Sequence, residues 1–116
     1  MSPAEALKAR MRAGLKAALK DGRGAEVQLL RALLAAVDNA EAPAQTAAQS
    51  KETLRKFGDD AAEVSRLALS HEQLNALLAE EIEAREQAAT EMERVGRADR
   101  ADALWREADM VRHFLA

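Results

Sequence analysis

Residues 2–24 read Ser-Pro-Ala-Glu-Ala-Leu-Lys-Ala-Arg-Met-Arg-Ala-Gly-Leu-Lys-Ala-Ala-Leu-Lys-Asp-Gly-Arg-Gly. Ser2 can cap a helix, Pro3 suits its first position, and Glu5 completes a Ser-x-x-Glu capping box. Leu7, Met11, Leu15, Ala18 and Leu19 then recur at helical spacing and make one apolar stripe. Asp21-Gly22-Arg23-Gly24 ends the helix, because two glycines allow the positive φ of a tight reversal. The pattern resumes at Val27, Leu30, Leu33, Leu34 and Val37, predicting a second helix from about Ala25 to Ala40. Two amphipathic helices joined by so short a turn predict an antiparallel hairpin.

The other end reads the same way. Ser70-His71-Glu72-Gln73 is a second capping box and opens the longest helix, with Leu74, Leu78, Ile82, Ala89, Met92 and Val95 on its buried face. Gly96 terminates it, and a last helix from Ala98 or Asp99 carries Ala101, Leu104, Trp105, Ala108, Val111 and Leu115. Between the two ends, residues 41–49 read as a loop around Pro43. Ser50 to Phe57 reads as a short helix stopping at Gly58, and Asp59 or Asp60 can cap another to about Leu69. The expectation is one all-α domain, a helical hairpin packed on two longer C-terminal helices, with residues 42–69 as a mobile or weakly helical excursion. No repeat at a fixed period is visible, which argues against a solenoid.

Composition agrees. The 116 residues suit one domain, and 28 Ala with 15 Leu against nine Val, Ile and Thr favour helix over strand. The absence of Cys removes disulfides, thiolate nucleophiles and cysteine-held zinc or iron–sulfur centres. With 17 basic and 20 acidic residues, the chain does not read as a strongly basic nucleic-acid binder. No apolar run is long enough to span a bilayer, and the first residues lack a signal-peptide pattern, so a cytoplasmic protein without membrane contact is expected.

Two blocks carry a resemblance. Leu30-Arg-Ala-Leu-Leu-Ala-Ala-Val-Asp-Asn-Ala-Glu41 resembles the second-helix signature of the YqeY-like (GatB/YqeY domain) family. Glu81-Ile-Glu-Ala-Arg85, Gly96-Arg-Ala-Asp99 and Arg112-His-Phe-Leu115 resemble that family's later helices, in order and spacing, over roughly 85 residues in all. The chain departs from the family in residues 42–69, where a short connector is usual, and in ending Phe114-Leu115-Ala116 where the family has Tyr-Leu-Pro. The family's second, three-helix domain, the part linked to tRNA contact in the amidotransferase, has no counterpart here. The resemblance implies an all-helical accessory module with no catalytic residues and no cofactor of its own. Its implied setting is tRNA-dependent amidation, with an amidotransferase or synthetase subunit as partner and at most weak contact with tRNA. Assistance to a glutamine-dependent carbon–nitrogen ligase and a structural role in a homodimer are the alternatives.

Charge supplies the candidate sites. Residues 1–31 carry seven basic and three acidic side chains, while the remainder carries ten and 17. Lys8, Arg12, Lys16 and Lys20 step by four and form a slowly drifting stripe, to which Arg23 and Arg31 can add. One reading is a phosphate-tracking or partner-contact face; the other is a solvated face that docks on the acidic region 71–95. No aromatic residue interleaves the stripe, so base stacking has no support. Glu81 and Arg85 form a favourable i,i+4 pair near the apolar line, and a part-buried Arg85 would look to Glu81 together with Glu41 or Asn39. This is a structural polar cluster in one reading and a carboxylate or phosphate site in the other.

His71 and His113 lie 42 positions apart without ligand spacing, and no metal site is expected. The glutamates at 80, 81, 83, 86, 91 and 93 read as a solvated helix face, and no serine has a partner His for nucleophilic catalysis. Gly22-x-Gly24 follows a helix and so is not a nucleotide-binding signature. Trp105 is expected in the core, with its indole N–H at the edge.

Overall fold

The computed structural model describes residues 1–43 and 66–116. These described residues form four helices: α1 (Pro3–Asp21), α2 (Gly24–Glu41), α3 (His71–Arg94) and α4 (Ala98–Arg112). Both capping boxes form. The Ser2 hydroxyl accepts from the Glu5 amide at 3.1 Å and the Ser70 hydroxyl from the Gln73 amide at 3.1 Å, while the Glu5 and Gln73 side chains accept from the two cap amides.

Each pair of helices is closed by the same turn. Gly22 (φ 71°) and Gly96 (φ 80°) take the left-handed conformation. The amide of each glycine donates three residues back, to Leu19 and Glu93. The following Arg23 and Arg97 amides donate five back, to Ala18 at 2.9 Å and Met92 at 2.7 Å. This double closure satisfies the last helical carbonyls and sends the chain back antiparallel. Side chains at Gly22 and Gly24 would both meet open space, so their substitution isolates the backbone effect. Gly22→Ala should cost about 1 kcal/mol because φ is positive there. Gly24→Ala, at the first position of α2, should gain about 0.5 kcal/mol by narrowing the unfolded ensemble. Urea midpoints moving in the same direction for both would refute this account of the turn.

The hairpins α1–α2 and α3–α4 share one core. Met11, Leu33, Val37, Leu78 and Val111 are its largest fully buried members and come from all four helices. Ala89, Ala101 and Leu104 are buried apart from that cluster, toward the tip of the second hairpin. The architecture is therefore all-α, as the periodicity predicts. Its last helix, at 15 residues, is the shortest of the four, so only α3 is a longer C-terminal helix.

Several details differ from the sequence reading. Leu19 and Val95 are about half exposed, since both sit at helix ends beside the turns, where no facing turn covers them. Leu29 is buried although it stands off the α2 stripe, because it joins the core cluster against which Met110 and Phe114 pack. Residues 66–70 are not helical. Leu67 donates its amide to the Glu41 carbonyl at 2.7 Å, and Leu69 packs on the core, so this part of 42–69 is tied to the fold. The short helix at 50–57 and most of the second short helix fall outside the described residues, as does the bulk of the expected excursion.

Candidate functional site

On a helix, four residues advance the side chain by about 40° beyond a full turn. The series Lys8, Arg12, Lys16, Lys20 therefore begins at the flank of the apolar stripe and ends on the outer side of α1. The structure corrects the first member. Lys8 is 8% exposed and packs where α1 meets the end of α2. Its Nζ donates to Glu41 Oε1 at 2.6 Å and to Asp38 Oδ1 at 3.3 Å. Glu41 is itself buried, and Arg66 stands 3.7 Å from the same oxygen while donating to the Asp38 carbonyl at 2.9 Å. The Glu41 hydrogen bond raises the Lys8 pKa above the ordinary lysine value of 10.5, burial opposes it, and Asp38 adds to the rise. Lys8 thus joins α1, α2 and the segment leading into α3, and is not available to an outside anion.

Arg85 keeps Glu81, the partner read from the sequence, and finds its second in Glu107 rather than in Glu41 or Asn39. Its side chain is 15% exposed. Nη1 donates to the Glu81 carbonyl at 3.0 Å and approaches Glu81 Oε2 at 3.5 Å, while Nε reaches Glu107 Oε1 at 3.3 Å. Arg100 approaches the other Glu107 oxygen at 3.6 Å. The cluster therefore fastens α3 to α4. Glu41 belongs to Lys8, and Asn39 is exposed on α2, so neither takes part. The reason is register: the turn at Gly96 brings positions 85 and 107, each eleven residues away, opposite one another.

Among the proposed contact residues, Arg23 is held by Glu26 and by Asp21. Arg12, Lys16, Lys20 and Arg31 are exposed and make no hydrogen bond or ion pair with another described residue. Arg12 continues the flank marked by Lys8. Arg31, two helical turns before Asp38, lies on the matching flank of α2. Lys16 and Lys20 carry the charge around to the outer side. Four cations thus stand exposed on the first hairpin, without a partner among the described residues. The second hairpin is acidic, with eleven acidic against six basic side chains over residues 71–116.

The remaining candidates have local roles. His71 and His113 are exposed, and His113 Nδ1 lies 2.8 Å from the Asp109 carbonyl. Ser2 and Ser70 are helix caps. Trp105 is half-buried and its indole N–H reaches Glu93 at 3.4 Å. Glu86 and Glu91 are paired with Arg112 and Arg94. No cluster of three or more potential metal ligands occurs among the described residues, and none of their helices is long and apolar enough to cross a membrane. Neither a protein-family model, a curated protein nor a solved structure matches the chain.

Sequence reasoning missed Asp38, Arg66 and Glu107. For two of them a signal existed. Counting outward from each Gly-Arg turn pairs Lys8 with the neighbourhood of Asp38 and Arg85 with Glu107.

Proposed function

We propose that this chain is a non-catalytic interaction module of the GatB/YqeY-like kind its sequence resembles. It docks through the cationic side of its first hairpin on a protein partner, an amidotransferase or synthetase subunit. The observation that supports the reading is the division of labour among charged residues. Lys8, Glu41, Arg85 and Glu107 are spent inside the fold, whereas Arg12, Lys16, Lys20 and Arg31 have no partner among the described residues. Exposed charges of one sign steer association and set register more than they add affinity.

A protein surface is preferred over RNA on magnitude. Four phosphate contacts on a chain of net charge −3 give only weak, salt-sensitive binding, roughly 10⁻⁴–10⁻⁶ M at physiological salt. The test is a pull-down from the native cell with the full chain and with a variant in which Arg12, Lys16, Lys20 and Arg31 are all replaced by Gln. The expected result is recovery of an amidotransferase or synthetase subunit by the parent chain, insensitive to ribonuclease and reduced at least tenfold by the variant, with helicity unchanged. Recovery that ignores the four substitutions, or a tight and salt-resistant complex with tRNA, would overturn the proposal.

A further inference from the structure

Arg10, like Arg12 and Arg31, pairs with no carboxylate among the described residues, but it alone of the three is held against the end of α4. Its Nη2 donates to the His113 carbonyl at 2.9 Å, and its guanidinium carbon lies 5.3 Å from the centroid of the Phe114 ring. No carboxylate among the described residues pairs with it, whereas Arg23, Arg85, Arg94, Arg100 and Arg112 each reach one. A ring face and a carbonyl hold a guanidinium less firmly than the bidentate carboxylate that its fork geometry matches.

The ring that Arg10 covers borders two depressions. One is a groove of about 320 Å³ with Leu29, Leu30 and Met110 on its apolar walls and Arg23, Glu26 and His113 at its polar ones. The other is a smaller hollow of about 80 Å³ beside Leu7, Leu74 and Arg10. Phe114 walls both and is only half-buried. It lies just beyond α4, with its amide held by the Val111 carbonyl at 3.0 Å, so its displacement is a rotation of the side chain on a fixed backbone. The larger groove alone is at the lower end of the range for small-molecule sites, and the ring is the wall it shares with the smaller hollow.

We propose that Phe114 is a displaceable plug over a site for an amphipathic carboxylate. The head group pairs with Arg10, and the apolar chain lies against Leu29, Leu30 and Met110. The unpaired guanidinium selects the head group, and the apolar walls select the chain. The site shares no residue with the cationic surface of the first hairpin, so either proposal can fail alone.

The test is calorimetric titration of the full chain with hexanoate, octanoate and decanoate, with decanol as the uncharged comparator. Each added methylene should tighten binding about fourfold, and decanoate should bind at least tenfold better than decanol. Phe114→Ala should strengthen decanoate binding severalfold, because no ring has to be displaced. Phe114→Leu should shift it in the same direction and guards against loss of folding in the alanine variant. Arg10→Gln should abolish the preference for decanoate over decanol. Absence of binding, affinity that ignores chain length, equal binding of the alcohol, or weaker binding by both Phe114 variants would overturn the proposal.

Discussion

Lys8→Ala should lower the unfolding free energy by about 3 kcal/mol, measured by urea denaturation at neutral pH. The substitution leaves the buried Glu41 carboxylate without its 2.6 Å partner, and an uncompensated buried charge costs about 3–5 kcal/mol. The lower end applies because Arg66 stands 3.7 Å away and can close on the abandoned oxygen. Replacing both partners together, Lys8→Met with Glu41→Leu, should leave stability near that of the parent, because two apolar side chains need no partner. A double variant as unstable as the single one would show that the loss comes from packing and not from the stranded charge.

The same pair predicts an alkaline limb. Lys8 has a higher pKa in the folded chain than the value of 10.5 it has when unfolded. Its contribution is therefore complete below pH 10.5 and disappears as the pH rises through the folded value. The parent should lose stability relative to Lys8→Met only in that alkaline window.

Arg85→Ala should cost about 2 kcal/mol through lost charge-assisted hydrogen bonds and lost packing of the side-chain stem. The guanidinium serves Glu81 and Glu107 from different nitrogens, so it bridges within α3 and across to α4 at once. Lysine offers a single point charge and cannot reproduce that fork, so Arg85→Lys should recover less than half of the loss. A double-mutant cycle with Glu107→Gln isolates the interhelical part. A change within about 0.5 kcal/mol for Arg85→Ala would mark an ordinary surface residue and would reopen the reading of Arg85 as an anion site.

The helix starts at Ser2 and Ser70 and the stops at Gly22 and Gly96 were legible in the sequence because they depend on near neighbours along the chain, whereas Leu115, read into the last helix, lies beyond its end and is exposed. Ser2 and Ser70 meet the amides three residues on, and Gly22 and Gly96 close the carbonyls three residues back. The stripes through Leu7, Met11, Leu30 and Leu33, and through Leu74, Leu78 and Ile82, follow from the helical repeat alone. The all-α class and the first antiparallel hairpin therefore depend on no long-range contact, whereas the second hairpin reads in the sequence only as two successive helices.

The fate of each charge was decided elsewhere. Lys8 and Arg12 are both cations at successive steps of one helix, yet the first is buried against Glu41 and the second is exposed. Spacing along α1 treats them alike; the difference comes from α2 and the segment at Arg66, which arrive on the flank where Lys8 lies. Likewise Glu81 is the partner of Arg85 that local spacing reveals, and Glu107 is the one supplied by folding α4 back on α3. Burial, pairing and the two hollows bordered by Phe114 depend on which side chains from distant positions meet. Only the tertiary structure sets that, because desolvation and ion pairing act through space and not along the chain.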